Sequence, residues 1–211
     1  MTYLRLTVLA TILWICESAI AQRWISYAST TDGFRIAAPG EFAIAEVDFE
    51  TEYGIVVPAR IFSHENDIGR YSVTIVDYRD AQRLHDERLE EIGGLYQPIY
   101  AQVDVRGSIA YAAKKIRDRA STIDYDAYHY IGRIEGHQLQ TTNPDQTRTF
   151  AGLYLYQSRL YVIDATVSPN VAPPGMFQQS LEFIDEDGEL ITFRDFPEDR
   201  KVTGSFTRLP Q

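Results

Sequence analysis

The stretch that most constrains the fold is residues 149–167, in which two apolar segments are separated by Gln157, Ser158 and Arg159. Tyrosine, valine, isoleucine and leucine dominate both segments, and these residue types favour the pleated, half-buried surface of a β-sheet. The pattern predicts a β-hairpin. An isolated hairpin is marginally stable in water, so other strands and at least one helix must cover it. We therefore expect the rest of the chain to be organised around this hairpin.

Further strand-like segments lie on both sides of the hairpin. Alternation, turn residues and β-branched content predict strands at residues 24–27, 34–38, 42–52, 55–62, 71–78, 121–129, 132–141 and 190–193. Pro58 removes a backbone donor, which predicts that its strand is an edge strand or contains a bulge. Residues 71–78 are almost wholly apolar, which predicts an interior strand.

Helical periodicity appears in three places. Asp80 is placed to cap a helix over residues 80–92 that ends at Gly93. Apolar residues at helical spacing predict a second helix over residues 105–119, and prolines precede a short third helix over 175–183. The expected fold class is α+β, a mostly antiparallel β-sheet covered by two or three helices. Residues 22–193 are expected to form one domain, with a loosely held tail at 194–211.

The first 21 residues have the features of a signal peptide. Arg5 provides a short positive region, residues 6–15 are apolar, and Ala19 and Ala21 match the small-x-small cleavage pattern. An uncleaved membrane anchor is the alternative, but a bilayer span needs about 20 apolar residues and this run is shorter. The one cysteine, Cys16, lies in this segment, so the mature chain has no disulfide framework. We expect an exported, periplasmic or secreted protein with no transmembrane segment after cleavage.

Acidic residues exceed basic ones by 30 to 20, which gives a formal net charge of −10. A nucleic-acid partner needs a basic footprint, so the composition argues against nucleic acid and against an anionic membrane surface. The charge is compatible with a cationic partner, with cation binding or with solubility alone.

An acidic ladder occupies the predicted strand at 42–52, where Glu46, Asp48, Glu50 and Glu52 are expected on one face. Neighbouring carboxylates of this kind can share a hard cation such as Ca²⁺. The alternative is a solvated strand face that discourages edge-to-edge aggregation. The turn at residues 185–188 resembles part of a calcium loop but lacks the remaining EF-hand ligands.

The four histidines, at 64, 85, 129 and 137, show no metal-ligand spacing. His129 and His137 lie on successive predicted strands and could approach each other, with Asp124 or Asp126 nearby, to hold a metal or a general base. Ordinary polar strand positions are the alternative.

Two further carboxylates, Asp77 and Asp164, interrupt apolar strands. A buried carboxylate is costly unless it is paired, so each is expected at a strand end or beside a partner such as arginine or tyrosine. The functional alternative is an acid of raised pKa in a cleft.

Fourteen tyrosines could line a recognition surface or fill a sheet core. Serine nucleophile elbows, phosphate loops and dinucleotide-binding glycine patterns are absent from the sequence. No catalytic, cofactor-binding or metal-ligating residue is therefore assigned.

Several short motifs carry a family resemblance. They are Trp24 with Tyr27, residues 33–39, Gly54 with residues 57–60, residues 71–78, and residues 177–181 followed by Asp187 and Gly188. With this layout the chain resembles small exported bacterial proteins of the Mog1/PsbP-like sandwich group. The resemblance implies an antiparallel sheet covered by helices and a binding or accessory role. Members of the wider group stabilise photosystem II or bind a small GTPase and share no active site.

These observations predict an exported, non-enzymatic binding or accessory module for an envelope protein partner, without a cofactor. A metal-assisted hydrolase or calcium-binding module, using surface carboxylates with His129 or His137, is the alternative. A carrier of a lipid or small ligand would need an apolar pocket between sheet and helices.

Overall fold

The computed structural model describes residues 24–93 and 99–192. The expected signal peptide at residues 1–21 and the tail at 194–211 lie outside the described residues, as does the end of the predicted strand at 190–193.

A seven-stranded antiparallel sheet forms the centre of the fold. Its strands are β3 (Ala43–Glu50), β4 (Val56–Glu65), β5 (Gly69–Asp77), β6 (Thr122–Ile131), β7 (Ile134–Thr142), β8 (Arg148–Tyr156) and β9 (Arg159–Val167). They lie in the order β3-β4-β5-β9-β8-β7-β6. The predicted hairpin is β8–β9, which lies inside this sheet with Tyr156 paired to Arg159. Gln157 and Ser158 between them both have positive φ, the conformation of a type I′ turn.

A smaller sheet covers one face of the large one. It consists of β1 (Ile25–Ser29), β2 (Phe34–Ala38) and the two-residue β10 (Glu182–Phe183), in the order β1-β2-β10. The short helix α3 (Gly175–Gln179) lies on the same face. Phe34, Phe62 and Phe177 are fully buried in the apolar layer between the two sheets.

Two longer helices cover the opposite face. These are α1 (Ala81–Ile92) and α2 (Tyr100–Arg119). Ala112, Ala113 and Ile116 of α2 are buried against Leu153 and Leu160 of the central hairpin. The fold is thus α+β with a mostly antiparallel sheet, as the sequence predicts. Within the two described ranges, no helix is long and apolar enough to cross a bilayer.

Three boundary predictions were wrong for physical reasons. α2 begins at Tyr100 rather than near residue 105, because its first turns bury the polar residue Asp104, which interrupts the apolar stripe. α3 ends early because Glu182 and Phe183 pair with β2. Leu190 forms only an isolated bridge with Ile184 in place of the predicted strand at 190–193.

Two local predictions also need correction. β4, which contains Pro58, is not an edge strand, because it lies between β3 and β5. Pro58 pairs with Asp48 of β3. The ladder between β4 and β5 begins only at Ala59, so Pro58 lies beyond its end and its missing N–H removes no hydrogen bond to β5. The Asp80 side chain does not cap α1 and instead pairs with Arg83, whereas Gly93 ends the helix in the left-handed conformation as predicted.

Candidate functional site

A cleft of about 520 Å³ lies between α2 and the β6–β7 hairpin. Arg106, Ile109, Ala110, Ala113 and Arg117 line it from the helix. Tyr128, Tyr130, Glu135, Gly136 and His137 line it from the hairpin. We call this hollow the α2–β6 cleft. Its size lies within the range of small-molecule and peptide sites.

Helical spacing explains the wall that α2 contributes. Its five lining residues are spaced i, i+3, i+4, i+7 and i+11, so they form one stripe along the helix. Arginines stand at both ends of the stripe, about 16 Å apart along the helix axis at 1.5 Å per residue. The small residues Ala110 and Ala113 lie between them and leave room for a ligand. The wall is therefore apolar in the middle and cationic at its ends.

Strand alternation explains the opposite wall. Tyr128 pairs with His137 across β6 and β7, so both side chains face α2. Their rings meet edge to face with centroids 5.5 Å apart. Tyr128 is 83% exposed and Tyr130 is 56% exposed, although both are large aromatic side chains. The hairpin thus presents aromatic surface to solvent at the mouth of the cleft.

An ion pair holds one end of the cleft together. Arg117 donates from Nε to Asp126 Oδ2 at 2.6 Å and from Nη2 to Oδ1 at 3.0 Å. His137 Nε2 also donates a hydrogen bond to the Asp126 carboxylate. The same nitrogen lies 3.4 Å from Arg117 Nη2, and because both of these atoms are donors, that approach is a contact and not a hydrogen bond. The hydrogen bonds from Arg117 lower the pKa of Asp126, partial burial opposes them, and His137 lowers it further. This charge is therefore already neutralised within the protein.

The structure separates the two histidines proposed as a pair. His129 pairs with Gly136, one residue before His137, so the two imidazoles lie on opposite faces of the sheet. His129 Nδ1 lies 2.9 Å from the hydroxyl of Tyr154. His137 and Asp126 do meet, but Asp124 instead accepts a hydrogen bond from the Thr142 hydroxyl. In the described part of the chain, no group of three or more histidine, cysteine, aspartate or glutamate side chains could hold a metal ion.

A buried polar cluster was not found by sequence reasoning. Asp104 Oδ2 accepts hydrogen bonds from the Thr51 hydroxyl at 2.5 Å and from His85 Nε2 at 2.9 Å, and all three side chains are buried. The nearby Tyr78 hydroxyl is buried and has no hydrogen-bond partner among the described residues. Burial raises the pKa of Tyr78 strongly, and the charge of Asp104 adds to the effect. The cluster joins α1, α2 and the end of β3, which identifies it as structural.

The acidic ladder lies on an edge strand, since β3 is one end of the large sheet. Glu46, Asp48 and Glu50 alternate along it and are exposed, as predicted. Glu52 lies beyond β3, and its carboxylate faces Gly107 of α2, so it does not belong to the ladder. Among the three ladder residues, Glu46 lies 4.0 Å from Arg60, and no other ion pair of the ladder is formed within residues 24–93 and 99–192.

The two carboxylates that interrupt apolar strands are both paired with arginine. Asp77, at the end of β5, accepts hydrogen bonds from Arg79 Nε at 2.9 and 3.0 Å. Burial would raise the pKa of Asp77, but Arg79 and then Arg159 bring it below its usual range. Asp164 in β9 pairs with Arg119 at the end of α2. Structural partners therefore account for both, as the first alternative predicts.

The remaining candidates have ordinary roles. The Asp185 carboxylate accepts the backbone N–H groups of Asp187 and Glu189, so residues 185–188 form a turn. The tyrosines divide between the two predicted roles. Those that fill the core are Tyr71, Tyr78, Tyr154 and Tyr161, and those that are largely exposed include Tyr125, Tyr128 and Tyr130 on β6. The sequence signal for this division is local polarity: the exposed three lie between 121 and 131, where aspartate and histidine alternate with the tyrosines.

Comparisons with known proteins give weak likenesses. No protein-family model and no curated protein matches the chain. The solution structure of cyanobacterial PsbP (CyanoP) from Synechocystis sp. PCC 6803 is similar at a TM-score of 0.43 and 13% identity, covering 80% of this chain and 96% of that one. A protein of unknown function from Pseudomonas aeruginosa is similar at a TM-score of 0.28 and 7% identity, covering 70% and 84%. The first belongs to the group that the sequence resembles, but both TM-scores are too low to support an argument about function.

Proposed function

We propose that this protein is an exported, non-enzymatic binding module whose binding surface is the β6 edge of the large sheet together with the α2–β6 cleft. Its partner is a protein of the cell envelope that contributes an extended segment. The segment adds to β6 as a further antiparallel or parallel strand, so that main-chain hydrogen bonds supply affinity and side chains supply specificity.

The two edges of the large sheet support this choice because they differ in chemistry. β3 has three exposed carboxylates in alternation, and charges of this kind keep an edge strand from pairing with other chains. β6 contains no lysine or proline, and its Asp126 is already paired with Arg117. Its other carboxylate, Asp124, accepts the Thr142 hydroxyl and lies at the distorted start of the strand. Its edge is therefore open to pairing where the β3 edge is protected.

The exposed side chains of β6 are those of an interface. Tyr125, Tyr128 and Tyr130 are 45%, 83% and 56% exposed. Tyrosine is enriched at protein interfaces because it combines a large apolar surface with a polar hydroxyl. The strong exposure of Tyr128 and Tyr130 on the cleft side of an edge strand is the single observation that supports the proposal, and Tyr125 adds exposed aromatic surface on the opposite face of β6.

A register shift limits the usable edge. The pairing of β6 with β7 shifts between Ile123 and Tyr125, which is a β-bulge and distorts the start of the strand. The regular edge runs from Tyr125 to Ile131. Seven residues at about 3.3 Å each give an edge of roughly 23 Å, enough for one strand of a partner.

Site-specific photo-crosslinking in intact cells tests the proposal. A photoreactive phenylalanine at Tyr130 probes β6, and one at Ile44, which is similarly exposed at 50%, probes β3 as a matched control. We expect a discrete crosslinked protein from position 130 and none from position 44. Crosslinks from position 44 alone, or from neither position, would contradict the proposal.

A further inference from the structure

We infer that the α2–β6 cleft recognises a carboxylate side chain, aspartate or glutamate, in the partner's extended segment, and that Arg106 binds it. This inference rests on the proposed function and adds the chemistry by which the segment is chosen. The occupant is an acidic, extended segment of a protein.

Arg106 is the group that this carboxylate would meet. It is exposed on the wall of the cleft and has no hydrogen bond or ion pair with any described residue. Most other arginines in the described ranges do have such partners, including Arg60 with Asp32, Arg79 with Asp77 and Arg119 with Asp164. In a chain with ten more acidic than basic residues, a cation without an acidic partner beside a cleft is a candidate anion site.

The other arginine of the cleft is not available in this way. Arg117 already makes two hydrogen bonds to the carboxylate of Asp126. A second carboxylate there would compete with an internal one. The two ends of the cleft are therefore inequivalent, and the anion is directed to the Arg106 end.

The surroundings of Arg106 suit an acidic side chain. Ile109 and Ala110, one turn further along α2, and Tyr130 on β6 line the same cleft. Arg106 is exposed, and its planar guanidinium can bind a carboxylate through two parallel hydrogen bonds. The apolar part of an aspartate or glutamate side chain can then pack on the apolar lining of the cleft while its carboxylate meets Arg106.

Two negative contributions oppose the anion, the net charge of the chain and one acidic residue of the cleft. The net charge of −10 repels acidic segments at long range, but at 0.15 M salt exposed charges beyond about 8 Å are largely screened. Glu135 is the one acidic residue among those that line the cleft. Neutralising Glu135 should therefore increase the affinity for the acidic segment, whereas the affinity of a site that binds no anion would not change.

Three blocked peptides provide the probe: acetyl-Val-Glu-Val-Glu-Val-amide, its glutamine counterpart and its lysine counterpart, in 150 mM NaCl. Backbone amide NMR shifts of β6 residues 125–131 report strand addition, and the shift of residue 106 reports the cleft. We expect the glutamate peptide to bind about fivefold more tightly than the glutamine peptide, in keeping with one charge-assisted hydrogen-bonding pair.

Matched variants identify the residue responsible. Arg106→Gln should abolish the preference for glutamate, Arg106→Glu should reverse it towards lysine, and Glu135→Gln should increase it. Arg70→Gln is the control, since Arg70 is an exposed arginine that lines a different hollow and its loss changes the net charge equally. Circular dichroism would verify that each variant is folded.

The outcomes separate the two proposals. Equal shifts of β6 amides by all three peptides would overturn carboxylate recognition and leave strand addition standing. A glutamate preference that survives Arg106→Gln, or that Arg70→Gln removes as well, would also overturn it. An absence of β6 shifts with every peptide, even at millimolar concentration, would count against both proposals.

Discussion

The Nε2 atom of His85 lies 2.9 Å from Oδ2 of Asp104, and both side chains are buried between α1 and α2. The same carboxylate oxygen accepts the Thr51 hydroxyl, so a single buried acid joins three segments of the chain. Leaving a buried polar group without a hydrogen bond costs free energy, so this network stabilises the docking of α1.

Asp104→Ala should therefore destabilise the protein strongly. The substitution leaves His85 and Thr51 buried without their partner, which costs about 3 kcal/mol or more in the free energy of unfolding. Urea unfolding followed by circular dichroism measures the loss. Asp118→Ala is the control, because Asp118 and its partner Lys114 are exposed on the same helix and such pairs contribute only about 0.5 kcal/mol. Equal effects of the two substitutions would contradict a structural role for Asp104.

Ser158→Gly should stabilise the protein. Gln157 has φ of 48° and Ser158 has φ of 57°, and both lie in the left-handed region that favours glycine. Glycine at the second position of a type I′ turn relieves this strain, and we expect a gain of about 0.5–1 kcal/mol. The Ser158 carbonyl, which accepts the Tyr78 N–H, is retained. Thermal unfolding would show a higher Tm, whereas an unchanged or lower Tm would argue against the turn geometry.

The hairpin shows what the sequence could predict about the fold. Most of its residues are apolar, β-branched or aromatic, and they supply buried side chains to the core on both faces of the sheet. Local pattern and tertiary environment therefore agree, which is why its place inside the sheet could be predicted. The polar start of α2 could not be predicted, because Asp104 and Ser108 occupy core positions that a hydrophobic stripe leaves unassigned. Partners far along the chain, here Thr51 and His85, compensate for their burial.

The candidate site was predictable only in part, for a similar reason. The alternation of β6 and β7 predicts that His137 and Asp126 can meet, but pairing register decides which face each histidine occupies. A shift of one residue exchanges the faces, and the sequence does not determine that register. The role of Arg106 depends on the packing of α2 beside β6 and β7, a long-range relationship that leaves no local signal.

The Asp126–Arg117 pair should make stability depend on pH in the acidic range. The hydrogen bonds from Arg117 hold the pKa of Asp126 below its ordinary value of 3.8, against the effect of burial. The Asp126 carboxyl therefore binds a proton more readily in the unfolded chain than in the folded protein. The contribution of the pair to the free energy of unfolding is complete above about pH 4 and is lost as the pH falls through the folded-state pKa.

Comparison with Asp126→Asn isolates this contribution. The difference in unfolding free energy between the wild-type protein and the variant should be constant from about pH 5 to 7 and shrink below about pH 4. Because both partners are partly exposed, we expect a difference of no more than about 1 kcal/mol. A difference that stays constant down to pH 3 would contradict the lowered pKa.

Metal ions should not stabilise the protein. His129 and His137 face opposite sides of the sheet, and the ladder carboxylates project into solvent, so no three described histidine, aspartate or glutamate side chains converge on a cation. We expect Ca²⁺, Zn²⁺ or Mn²⁺ at about 1 mM to change Tm by less than about 1 °C, since a ligand stabilises only when it binds the folded state. A saturable increase of several degrees that His137→Ala removes would restore the metal-dependent alternative.

Hydrogen exchange of the partner complex tests the central claim most directly. Strand addition to β6 gives its outward-facing amides new hydrogen bonds, which slows their exchange with solvent. With the crosslink-identified partner bound, we predict slower exchange at alternate amides between residues 125 and 131 and unchanged exchange along β3. Protection of β3 alone, or of neither edge strand, would contradict the assignment of β6 as the binding surface.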